Sequence, residues 1–228
     1  MSSERASPYL LESISLSAGV TLPTAPRKRP AKTRRAEKSL ANRRALLRAA
    51  AELIAEHGYE GAIVARVAER AGLGAGTFYI YFETRQHMLD VLLPELTEEM
   101  LGRIAGKIHG SRDYLDMEER AFRAFVRVID QTPGLFRIIN EAQVAAPTAY
   151  SEHIERTISS YVASLERGHR EGFVKGVVPA QFRELAYMLI GARNNLYVAY
   201  VNSGRKRKTL ASIIDVYIRL VRKVIIEP

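Results

Sequence analysis

The stretch "IVARVAERAGLGAGTFYIYF", residues 63–82, decides how this chain folds. Its first half sets Ile63, Val64, Val67, Ala68 and Ala71 on one face at helical spacing, and Gly72 stops that run. Its second half restarts after Gly74 and is aromatic at its end, with Phe78, Tyr79, Tyr81 and Phe82. No alternating strand pattern survives comparison with the helical one, so two short helices joined by a glycine turn are expected.

Helical periodicity continues on both sides. Upstream, from about Ser39, Leu40, Leu46, Leu47, Ala50, Ala51, Leu53 and Ile54 mark a longer helix that Gly58 caps. Downstream, Thr84 is placed to cap a long helix through "RQHMLDVLLPELTEEMLGRIAGKIHG", in which Pro94 removes one backbone donor and predicts a kink. Gly102, Gly106 and Gly110 form a smooth stripe expected to pack on a neighbouring helix, while Glu98, Arg103 and Lys107 forbid a membrane span. The remaining helices are expected in "DMEERAFRAFVRVIDQ" with Pro133 as its stop, "LFRIINEAQVAA" ended by Pro147, and "TAYSEHIERTISSYVASLERGHREG". They continue in "PAQFRELAYMLIGARNNLYVAYVNSG", opened by Pro179, and "KTLASIIDVYIRLVRKVII". The expected class is all-α, with about nine helices: a small amino-terminal bundle over 39–100 and a larger one over 101–228.

Charge is concentrated at one end. Between Arg27 and Arg48 stand ten basic residues (Arg27, Lys28, Arg29, Lys32, Arg34, Arg35, Lys38, Arg43, Arg44 and Arg48) against Glu37 alone, so the whole net charge of +9 sits there. A basic block beside a neutral remainder points to a polyanion met at one end. Residues 1–38, with Pro8, Pro23, Pro26 and Pro30 among Ser, Thr and Ala, read as a flexible basic arm. With 47% hydrophobic residues the chain can bury a real core, and with no cysteine it can hold no disulfide or thiolate chemistry. "YLLESISLSAGV" is interrupted by Glu12 and reads poorly as a signal peptide, so a cytoplasmic setting is expected.

A short helix pair with a glycine turn, after a longer helix and next to a basic arm, is the arrangement of a helix-turn-helix DNA reader. The residues narrow this further. The run "RALLRAAAELIAEHGYEGAIVARVAERAGLGAGTFYIYFETRQHML" resembles the amino-terminal domain of tetracycline-repressor (TetR) family regulators through "AAAELIAEHGYEG", "VAERAGL", "GTFYIYF" and "ETRQHML". The resemblance implies a helix-turn-helix over 63–82, its recognition helix over 75–81, that contacts DNA with Thr77, Tyr79, Ala75, Gly76 and Val64, and with Tyr81 and Arg85 on phosphates. Phe78, Ile80 and Phe82 would anchor the recognition helix to its own bundle. The sequence also departs from the family pattern: Ala62 and Ile63 replace a hydroxyl pair, Gly74 replaces a capping serine, and Ala75 a polar residue. Side-chain readout is therefore thin, and the arm, including Arg34, Arg35 and Lys38, is expected to compensate on the phosphate backbone or in the minor groove.

The same resemblance implies that the second domain is a sensor and a dimeriser. Residues 180–202 and 209–226 would pair with their twins in a four-helix bundle, with Leu185, Leu189, Tyr197, Ile213, Ile214, Tyr217 and Leu220 as interface or core. Cavity-lining candidates are Met100, Phe122, Phe125, Phe136, Tyr161 and Met188, with Asn140, Glu141, Asn194 or Asn195 orienting a small, largely hydrophobic effector. The helix kinked at Pro94 would be the lever between effector and DNA. The expected protein is a homodimeric, ligand-responsive regulator, most simply a repressor on a palindromic operator, without cofactor. A weakly sequence-specific structural DNA-binding protein is the alternative. An enzyme is disfavoured: the five histidines lack metal-ligand spacing, and "GLGAG" follows no strand.

Overall fold

The computed structural model describes residues 31–132 and 134–227, and of Ala31 to Thr33 the backbone alone. Arg27, Lys28, Arg29 and Pro133 lie outside the described residues. Nine α-helices run through the described residues: α1 Ala31–His57, α2 Val64–Arg70, α3 Ala75–Tyr81, α4 Arg85–Ile108, α5 Tyr114–Gln131, α6 Leu135–Ala145, α7 Pro147–Arg170, α8 Phe182–Asn202 and α9 Arg207–Val221. A 3-10 turn, Tyr59–Gly61, joins α1 to α2, another at Pro179–Gln181 precedes α8, and a π-helical turn, Arg222–Ile226, ends the chain. No strand occurs among the described residues.

The chain divides into two units at Lys38 and Ser39. The described part of the first is residues 31–38, and it corrects the expectation of a flexible arm up to Lys38: these residues are helical, eight positions before the apolar repeat begins. The run Ala-Lys-Thr-Arg-Arg-Ala-Glu-Lys is made mostly of strong helix formers, which suffice without an apolar stripe once a packed helix follows to supply the nucleus. Arg34, Arg35 and Lys38 are exposed.

In the second unit the helix boundaries follow local chemistry. Thr84 caps α4 by accepting from the His87 N–H at 2.9 Å, and Asp113 caps α5 from the Asp116 N–H at 2.8 Å. Between α2 and α3 the chain turns through Gly72 at φ +67°, with the Leu73 N–H returning to the Ala68 carbonyl at 2.8 Å, a left-handed stop that a side chain would strain. Gly134, at the start of α6, has φ +74°, and a Cβ there would lie 2.2 Å from Ala55 Cβ and 2.6 Å from Ala55 Cα. Only glycine lets α6 approach α1 this closely.

One apolar cluster runs from Leu46, Leu53 and Ile54 of α1 through Phe78, Leu89 and Leu93 to Phe122, Leu165, Tyr217 and Ile225. α4 packs on α5 and α7, α7 on α8, and α5 on α9. The expected glycine stripe meets nothing among the described residues: Gly102 and Gly106 of α4 face open space, as does Gly110, which lies past the end of that helix. Leu185, Leu189, Tyr197, Ile214 and Tyr217 are buried within the chain. The exposed apolar face on α8 and α9 is formed by Tyr187, Met188, Val198 and Val216 together with Leu220, which was expected there.

Candidate nucleic-acid interface and ligand cavity

α3 is held by one face. Phe78 is fully buried, Phe82 follows as the C-terminal cap, their rings lie 5.5 Å apart, and the Arg43 guanidinium sits 5.7 Å over the Phe82 ring. The opposite face carries Ala75, Gly76 and Tyr79 into solvent, with Thr77 and Tyr81 half-buried at its edges. Ile80 is 75% exposed and so is not the anchor expected of it; in a seven-residue helix, Phe78 and Phe82 occupy the whole inward stripe. Val64 is half-buried at the start of α2, against the core. Arg44 and Arg48, a turn apart on α1, are exposed. Arg70 is engaged differently: it grips Glu56 with two bonds of 2.9 and 2.8 Å and ties α2 to α1.

Arg85 also has another occupation. Its Nε donates to the Ala62 carbonyl at 2.9 Å and its Nη2 to the Tyr59 carbonyl, so the guanidinium closes the turn before α2. With Nε and Nη2 held by two carbonyls, the side chain braces this turn. We expect Arg85→Ala to lower DNA affinity at every salt concentration while leaving the slope of log affinity on log salt unchanged. A phosphate contact would instead lower that slope by about 1. A salt titration of wild type and variant separates the two.

The same turn is clamped from α6. Tyr59 Oη donates to the Ile138 carbonyl at 3.1 Å, the Tyr59 N–H donates to Glu141 at 3.1 Å, and Arg137 reaches the Ala55 carbonyl at 3.2 Å. The helix-turn-helix therefore hangs from two supports, the first residue of α4 and the middle of α6.

Both supports run on to a cavity of about 210 Å³ among α4, α5, α7 and α8, open to the surface on the side of Ala105, Ser160 and Arg167. Met100, Leu101, Ile104 and Ile108 of α4, Phe125 of α5, Ile139 of α6 and Ile190 of α8 supply its apolar wall. Along α7 it extends from His153 to Arg167, about 20 Å of helix. Of the residues expected there, Met100, Phe125, Tyr161 and Asn194 line it. Phe122 lies behind the wall, with its ring 5.0 Å from that of Tyr217, and Phe136 packs on Tyr197 at 4.8 Å. Asn140 and Asn195 turn outward and donate to their own helices, at the Phe136 and Gly191 carbonyls, and Met188 is 71% exposed. Asn195 and Met188 miss by helical phase alone, since their neighbours Asn194 and Leu189 face inward.

A charged cluster forms one wall, built on Glu118, which stands in helical register with Phe122, Phe125, Val126 and Ile129. Glu118 and Arg193, 1% and 7% exposed, pair at 2.6 Å. Glu118 also accepts from Tyr217 Oη at 2.5 Å and from Tyr161 Oη, and Arg193 lies over the rings of Phe122, Tyr161 and Tyr217. Burial pushes the phenols of Tyr161 and Tyr217 up, so both keep their protons to donate. The signal was present in the sequence as a charge in register with Phe122 and Phe125 on an apolar stripe. Four helices, α5, α7, α8 and α9, meet in this cluster.

His153 is the other buried polar group on the wall. Burial lowers its pKa to about 4, so the ring is neutral at physiological pH. The unfolded chain binds that proton near pH 6.5, so the unfolded state holds more protons in between and stability falls as the pH drops from about 6.5 to 4. The expected loss is about 3 kcal/mol. Urea denaturation across this range should show it in wild type and a flatter curve for His153→Gln; parallel curves would refute the assignment.

No cluster of His, Cys, Asp and Glu able to hold a metal ion occurs among the described residues, and none of their helices is long and apolar enough to cross a membrane. Residues 46–92 match the model of bacterial regulatory proteins of the tetR family. Over 190 residues the chain is 24% identical to the HTH-type transcriptional regulator YhgD of Bacillus subtilis, covering 79% of this chain and 96% of that protein. The fatty acid metabolism regulator protein of the same organism is 36% identical over 59 residues, 26% of this chain and 30% of that one. Among solved structures, the fatty acid degradation regulator FadR of Bacillus halodurans superposes with a TM-score of 0.67 at 21% identity, covering 79% of this chain and 94% of that chain. Reduced NemR of E. coli also reaches 0.67, at 15% identity, covering 82% and 99%. At these identities the structural likeness is one of fold.

Proposed function

Because the chain belongs to the TetR family of bacterial regulatory proteins, we propose that it is a homodimeric repressor that binds a palindromic operator and is released by a small, largely hydrophobic effector. The observation that carries this reading is the pair of supports under the helix-turn-helix. The α4 that begins at Arg85 lines the cavity from Met100 onward, and the α6 that holds Tyr59 lines it with Ile139. A ligand that prefers one arrangement of α4 and α6 shifts the orientation of α3, and only such a preference can move the equilibrium.

Residues 39–100 carry the DNA-reading part and 101–228 the sensing and dimerising part, with α4 common to both. The exposed apolar residues Tyr187, Met188, Val198, Val216 and Leu220 of α8 and α9 are suited to pair with a second copy. Two recognition helices about 34 Å apart then read successive major grooves. Thr77, Tyr79 and Tyr81 supply the side-chain contacts, and the backbone of Ala75 and Gly76 approaches closely because nothing projects from it. An acyl chain suits the apolar wall, in keeping with the fatty-acid regulators to which the chain is similar.

Footprinting on the DNA that flanks the chain's own gene tests the reading: a bounded, two-fold symmetric protected site is expected, whereas uniform salt-dependent coating would mark a structural DNA-binding protein. Arg34, Arg35 and Lys38 supply electrostatic affinity. Replacing all three by Gln should reduce the salt slope by about 2 to 3 and weaken specific and non-specific binding alike. An unchanged slope removes residues 34–38 from the interface.

A further inference from the structure

The hydroxyl of Thr97 fixes which nitrogen of His153 faces the cavity. Thr97 Oγ1 lies 2.7 Å from the Leu93 carbonyl and 2.7 Å from His153 Nδ1. A hydroxyl has one proton, and a carbonyl can only accept, so Thr97 donates to Leu93. Both short contacts are then satisfied only if His153 Nδ1 carries the hydrogen and donates to Thr97. Nε2 is left as a lone pair.

That lone pair has no hydrogen-bond partner among the described residues, yet His153 is only 5% exposed and lines the cavity. Among the described residues, the one side-chain polar atom both sealed from solvent and unpartnered is the Tyr114 hydroxyl, so His153 Nε2 keeps contact with open space. The space that His153 lines is the cavity, whose wall also holds Met100, Phe125 and Ile139. A ligand that fills the cavity seals Nε2 from solvent, and an acceptor so sealed is costly to leave unmet.

We infer that His153 Nε2 is a specificity-determining acceptor for an apolar effector whose buried end carries a hydrogen-bond donor, a hydroxyl or an amide N–H, and that an ionised carboxylate is excluded from that end. This rests on the reading of the cavity as a hydrophobic effector site and adds the polar chemistry to it. A carboxylate offers only lone pairs, which Nε2 repels; a methyl ether fills the same volume and leaves Nε2 unmet. The neutral ring, kept so by burial, is consistent with one donor and one acceptor. The bond runs on through Thr97 to the Leu93 carbonyl, beside Pro94, so a ligand held at Nε2 pulls on α4 at its proline.

The test uses two isomers, 1-nonanol and 1-methoxyoctane, titrated calorimetrically into the full-length protein. Wild type should bind the alcohol about tenfold more tightly than the ether. His153→Phe should bind both with equal affinity. Equal affinity of wild type for the two, or a preference that survives in His153→Phe, overturns the inference while leaving a hydrophobic cavity in place. Binding of neither overturns the hydrophobic-effector reading and this inference with it. Should the variant fail to fold, long-range proton–nitrogen NMR of the wild-type imidazole decides: a protonated Nδ1, with the Nε2 resonance moved by nonanol, is expected. A protonated Nε2 contradicts it.

Discussion

Replacing Glu118 by Ala is expected to destabilise the protein by about 3 to 5 kcal/mol. Arg193 is then left buried without its carboxylate, and the hydroxyls of Tyr161 and Tyr217 lose their shared acceptor. For a chain of this size the melting temperature should fall by roughly 10 °C. Much of that cost is the unpartnered guanidinium rather than the worth of the bond, so removing both charges should recover part of it. The double variant Glu118→Met, Arg193→Met should therefore melt higher than Glu118→Ala. A loss under about 1 kcal/mol for the single variant would mean that the guanidinium reaches water and that the cluster does not tie α5 to α8 and α9.

Gly134→Ala should cost a similar amount through sterics. The new methyl would overlap Ala55 Cβ at 2.2 Å and Cα at 2.6 Å, and the residue would keep φ +74°. The left-handed conformation alone costs about 1 kcal/mol, and overlap with backbone adds 1 to 3 more, roughly. Relief comes only if α6 backs away from α1, which breaks the Arg137 bond to Ala55 and weakens the Tyr59 clamp. DNA affinity should therefore fall along with stability, although Gly134 is remote from α3 in sequence. Ala55→Gly in the same chain should restore part of both, since it removes the 2.2 Å contact and leaves the Cα one. Melting curves and operator binding of the single and double variants check this, and a Gly134→Ala protein with wild-type stability would contradict the close approach.

Much of the fold could be read from residue order because local chemistry marks its punctuation. Gly72, Gly74 and Thr84 bound the short helices, and α3 occupies the expected residues 75–81. The start of α1 could not be read from apolar spacing, since residues 31–38 are helical by propensity and bury no stripe. The site was legible only in part, for two physical reasons. Periodicity assigns a face to within a residue or so, and one position is 100° of helix, which is why Asn194 lines the cavity and Asn195 does not. Partners distant in sequence do not show in a linear pattern: Arg85 meets carbonyls 23 and 26 positions away, and His153 meets Thr97 at 56. A charge in register with aromatic residues was the one available clue to Glu118.

Selection of bound sequences from a random DNA pool by the full-length protein tests most directly whether α3 reads DNA as part of a dimer. The expected product is a two-fold symmetric motif with half-sites about one helical turn apart, weakened throughout when Tyr79 is replaced by Ala. Recovery of DNA with no enriched motif, or of a single unpaired half-site indifferent to Tyr79→Ala, would contradict it.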